Sequence, residues 1–77
     1  MQSGYVFCDL NGKQVLCYTS DRQRVELIPI VSSTTLNKAI CLGDLTEMKN
    51  IQERFKKAGM VGEMSIVNIG SLYKKFF

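Results

Sequence analysis

Three observations in the sequence predict an α+β fold, an antiparallel sheet of four to five strands with one helix packed on one face. Two β-rich runs flank Asn11-Gly12, an apolar stripe recurs at helical spacing after Asp44, and the one proline, Pro29, interrupts a third β-rich run. The expected order is β-β-β-(β)-α-β in a single domain spanning residues 1–77, a length with room for one core.

The hairpin comes first. Tyr5 to Leu10 and Lys13 to Thr19 are rich in aromatic and β-branched residues. Asn-Gly between such runs predicts a two-residue type I′ turn, whose central residues both need φ > 0. That register sets Cys8 against Val15 and Val6 against Cys17. The pleat then puts Val6, Cys8, Leu10, Val15 and Cys17 on one face, and Tyr5, Phe7, Leu16 and Tyr18 on the other. Both faces are apolar, so water on one side does not fit. The second face should meet a helix, another layer or another subunit.

Ser20 to Arg24 is polar and charged and reads as a loop. Val25 to Val31 is a third strand, at an edge because Pro29 has no N–H for a ladder. Ser32 to Thr35 reads as a turn. Leu36 to Leu42 alternates weakly, as a fourth strand, with a short helix as the competing assignment. Asp44 with Glu47 three residues on has the form of a capping box. Leu45, Met48, Ile51, Phe55 and Ala58 follow as one helical stripe, and Gly59 sits where a left-handed terminator belongs. After a loop through Val61-Gly62, Glu63 to Ile69 is the last strand. Gly70-Ser71 interrupts it, and Leu72 to Phe77 continues as strand.

Composition narrows the chemistry. Hydrophobic residues make up 45% of the chain and the net charge is +3, with five basic residues against Glu63 from Arg54 onward. Histidine is absent, which removes the commonest general base and metal ligand. Cys8, Cys17 and Cys41 form an odd set without metal or redox spacing, so reduced thiols in a cytoplasmic protein are expected. Cys41, shortly before the helix start, is the one thiol with a route to a lowered pKa. Met1-Gln2-Ser3-Gly4 has no leader character, and no apolar run reaches a membrane span. Gly59 to Gly62 follows a helix and so lacks the order of a phosphate cradle. No enzyme, metal, cofactor or small-molecule substrate is expected.

What remains is binding. The expected partner is another protein, and a second copy of this chain by sheet face or edge. Such a chain is similar in type to phage or mobile-element accessory proteins that inhibit or modulate a host machine. RNA or DNA is the alternative partner, since Val6 to Leu10 superficially resembles the first aromatic strand motif of RNA-recognition domains. The hairpin directly after it excludes that fold, which needs a crossover helix there. A weaker form keeps Tyr5, Phe7 and Tyr18 as an aromatic face beside Arg22 and Arg24. The other candidate contacts are Arg54, Lys57, Tyr73, Lys74, Lys75, Phe76 and Phe77, a basic and aromatic C-terminal third.

Overall fold

The computed structural model describes residues 4–59 and 62–77. Four strands, β1 (Tyr5–Cys8), β2 (Gln14–Tyr18), β3 (Val25–Pro29) and β4 (Ser65–Asn68), form one sheet in the order β3-β2-β1-β4. Every neighbouring pair is antiparallel. Three helices complete the chain: α1 (Ser33–Lys38), α2 (Leu45–Lys57) and α3 (Ile69–Phe76). The α+β class and the antiparallel four-stranded sheet are as expected. The single helix and the order β-β-β-(β)-α-β are not, because the chain runs β-β-β-α-α-β-α.

The hairpin phase is as the alternation required. Val6, Cys8, Val15 and Cys17 share one buried cluster with Leu36, Ala39, Ile69 and Leu72, so α1 and α3 cover that face. Phe7 and Leu16 share the other with Met48 and Met64, and Ile51 and Phe55 of α2 pack against it. The chain therefore roofs both faces itself, which removes the physical reason for a subunit on either one.

Only part of the predicted register forms. Cys8 pairs with Val15, but Val6 does not pair with Cys17. The strands part, and the chain leaving α1 enters the gap. Ile40 N–H donates to the Leu16 carbonyl, and Tyr5 and Leu42 each donate to the other's carbonyl, at 2.8 and 3.2 Å. Leu36 to Leu42 is thus the end of a helix and then a short extended bridge, and neither assignment alone describes it. Leu10, expected on a packed face, is 64% exposed in the turn.

Pro29 lies in an edge strand, as predicted. Thr19 N–H donates to the Arg24 carbonyl and Ile30 N–H to the Lys13 carbonyl. Alternation between these bonds turns the backbone of Glu26 and Ile28 toward β2, and that of Val25, Leu27 and Pro29 outward. The missing N–H of Pro29 therefore faces the open edge, where it removes no ladder bond.

In α2, the Asp44 carboxylate accepts the Thr46 N–H at 2.8 Å, and Gly59 closes the helix at φ 66 with its N–H on the Lys56 carbonyl. The loop expected after it falls partly on residues 60–61, outside the described residues, as do residues 1–3 of the N-terminal segment. The tail is a helix where a strand was expected. Asn68 caps it by accepting the Gly70 N–H at 2.8 Å, and Ile69, Leu72, Tyr73 and Phe76 fall on one face against the first cluster. Gly70-Ser71 is its first turn and breaks nothing.

Candidate functional site

The turn between β2 and β3 is held by its own polar groups. The Thr19 hydroxyl donates to Asp21 Oδ1, which also accepts the Gln23 N–H at 3.0 Å. Arg24 N–H donates to Thr19 Oγ1 at 3.3 Å, and Arg22 N–H donates to the Thr19 carbonyl at 2.8 Å. The Thr19 hydroxyl and the Gln23 N–H hold the Asp21 carboxyl below the usual carboxylate range. Its charge is turned back into the loop.

Within this frame Arg22 sits at φ 59, the one non-glycine residue of positive φ among the described residues. A left-handed conformation costs a residue with a Cβ about 1–2 kcal/mol. Such strain persists where surrounding bonds over-determine the backbone, and it clusters at functional sites.

Arg22 lines a groove of about 490 Å³ with Tyr18, Thr19, Ser20, Asn37 and Lys38. The Cys17–Ala39 bridge brings the end of α1 against the end of β2, which sets Asn37 and Lys38 across from the turn. Tyr73 O–H donates to Asn37 Oδ1, so the Asn37 oxygen is engaged and its NH₂ keeps two donors. Tyr18 is 54% exposed and supplies an aromatic wall. The lining thus holds two cations, amide and hydroxyl donors and no carboxylate. Lys38, in the last turn of α1, also offsets the negative end of that helix.

The structure brings two of the expected partner residues, Tyr18 and Arg22, to this groove. Arg24 is exposed on the same turn. Phe7 needs correction: it is fully buried, its ring 6.0 Å from that of Phe55 in an edge-on contact, and it offers no surface to a partner. Tyr5 is half-buried against the same cluster. Of the expected aromatic face, Phe7 and Tyr5 therefore pack in the cluster beneath α2, and Tyr18 alone is exposed.

The basic C-terminal third is divided. Arg54 and Lys57 are exposed on α2 and Lys74 and Lys75 on α3, helices that cover opposite faces of the sheet. Tyr73 and Phe76 pack inward against the first cluster. Phe77 is 60% exposed, and Lys75 Nζ lies 5.6 Å from the Phe76 ring centre. Asn37 and Lys38 were not expected at any site. Their signal lay in α1, which the sequence presented as a turn followed by a weak strand.

The thiols are poorly placed for nucleophilic work. Burial pushes Cys8 up to about 11, with Asp9 adding to it and Lys75 opposing. Cys17 is raised by burial and by Glu26, against a smaller lowering by Lys38. Burial also raises Cys41, the reverse of the activation its position before α2 suggested. Among the described residues, no three Cys, Asp or Glu side chains gather as a metal site would require. No helix described is long and apolar enough to cross a membrane.

The chain matches no family model, no curated protein and no solved structure.

Proposed function

We propose that the chain is a non-catalytic protein-interaction module that engages its partner through the groove between the β2–β3 turn and α1. One observation carries this reading: a strained, hydrogen-bond-locked turn carries Arg22, which lines the groove together with Lys38 and an exposed tyrosine. With both sheet faces covered by the chain's own helices, the groove supports this reading as a concave surface left open to a partner. Nucleic acid is less well served. The ring expected to stack is under α2, and the basic residues lie on two sides of the sheet instead of along one track.

The test is site-specific photocrosslinking in the source cell from Ser20, at the groove rim, with Lys49 on the outer face of α2 as the control position. A discrete protein adduct from Ser20 that disappears in an Arg22→Ala/Lys38→Ala double variant supports the module. Adducts to nucleic acid, or the same adducts from Lys49, would count decisively against it.

A further inference from the structure

We infer that the groove is an oxyanion site whose ligand is a phosphate monoester carried on a partner protein. The inference rests on the interaction-module reading and gives it a ligand chemistry.

Charge is the first ground. The lining carries Arg22 and Lys38 and no acid, a formal +2, while a phosphate monoester carries about −1.5 to −2 near neutral pH. A single carboxylate would leave one cation unmatched. The acid nearest in sequence, Asp21, is not among the lining residues, and its Oδ1 accepts from Thr19 and Gln23 within the turn.

Donor type is the second. Guanidinium offers a planar fork to two phosphate oxygens and ammonium offers a point charge, and the two are complementary on a tetrahedral oxyanion. The Asn37 NH₂ and the Ser20 hydroxyl add neutral donors for the remaining oxygens. Thr19 contributes least, because its hydroxyl already donates to Asp21 and accepts from Arg24.

Backbone conformation is the third. The turn would be relieved by glycine at position 22, yet it carries arginine. A residue kept against its own conformational preference is most simply explained by what its side chain does, and this one borders a groove. The Tyr18 ring beside the cations gives the flanking peptide an apolar wall, and its exposure leaves that wall accessible.

Titration of ¹⁵N-labelled protein, followed by amide shifts, tests the site directly. The probes are acetyl-Gly-phosphoserine-Gly-amide, its glutamate counterpart, inorganic phosphate and a short oligouridylate. The phosphopeptide should shift the amides of Thr19 to Arg24 and of Asn37 and Lys38 saturably, and bind roughly tenfold or more tightly than the glutamate peptide. Inorganic phosphate should shift the same amides more weakly. Arg22→Gly should lose roughly tenfold in phosphopeptide affinity while melting no lower than the parent, which separates lost binding from lost folding. Lys38→Ala should lose a similar factor.

Equal binding of the glutamate peptide overturns the phosphate assignment. So does tighter binding of oligouridylate at these amides, or the absence of any shift there. If phosphatase treatment of the partner leaves the Ser20 crosslink intact, the ligand class fails and the interaction module stands. If the crosslink fails while phosphopeptide binds, the reverse holds.

Discussion

The two hairpin turns solve one geometric problem with different residues. Each uses an aspartate as a brace. Asp9 Oδ1 accepts the N–H groups of Lys13 and Gln14 at 2.8 and 3.0 Å, and Asp21 Oδ1 accepts the Gln23 N–H and the Thr19 hydroxyl. Each also needs a left-handed residue. The first turn places Gly12 there at φ 69, and the second places Arg22 at φ 59. Glycine adopts this conformation without strain, and arginine does not. The first turn meets the requirement without strain, whereas the second meets it with a residue that strains there and that lines the groove.

The comparison can be broken at four points, in falling order of effect. Asp9→Ala removes an acceptor for two backbone donors and should destabilise by about 2 kcal/mol in urea unfolding. A loss no larger than that of Asp21→Ala would mean that Asp9 is not the stronger brace. Gly12→Ala should cost about 1–2 kcal/mol by the same measurement, since it forces a Cβ into the left-handed region. A neutral result would show that the first turn relaxes freely.

Arg22→Gly should raise stability, because relief of strain of about 1 kcal/mol outweighs the added freedom of the unfolded chain. A variant less stable than the parent would remove the strain from the argument for function. The smallest effect belongs to acid. Because the Asp21 pKa is lowered on folding, its contribution is present above its ordinary value of 3.8 and fades as pH falls through the lower folded value. Faster exchange of the Gln23 amide at pH 2 than the bare pH trend predicts is the expected sign. An Asp21→Asn variant should show no such step.

The sequence was most legible where local chemistry and tertiary packing agree. Alternation in Tyr5–Cys8 and Gln14–Tyr18 assigns each side chain its face, and Asp44, the Met48–Ile51–Phe55 stripe and Gly59 mark α2 from start to finish. The turn at Asn11-Gly12 was half right. Only Gly12 takes positive φ, and the Asp9 N–H to Gln14 carbonyl bond of 3.2 Å closes a loop over residues 10–13 instead of a two-residue turn. Nothing local announces that the Asp9 side chain would fill that loop.

The short helices were hidden for different reasons. α1 opens with polar Ser33 and Thr34 and buries only Thr35 and Leu36, too few positions for a period to show. α3 has its period, but glycine and serine in its first turn look like a break, and Leu72, Lys74 and Phe76 also alternate. Missing α1 meant missing Asn37 and Lys38. The α1 side of the groove was therefore illegible, because it depends on the Cys17–Ala39 bridge between segments distant in sequence.

The pairing of β1 with β4 has a kinetic consequence. β1 is flanked by its hairpin partner and by a strand about sixty residues away, with Tyr5 opposite Asn68. During synthesis the first hairpin can form early, yet β1 keeps one ladder edge open until Ser65–Asn68 has emerged. That interval exposes Val6 and Phe7 beside an unpaired edge, the arrangement most prone to pairing with the wrong chain. The closing strand carries α3 directly behind it, so the segment that completes the edge is followed at once by the helix that covers the apolar face around Val6.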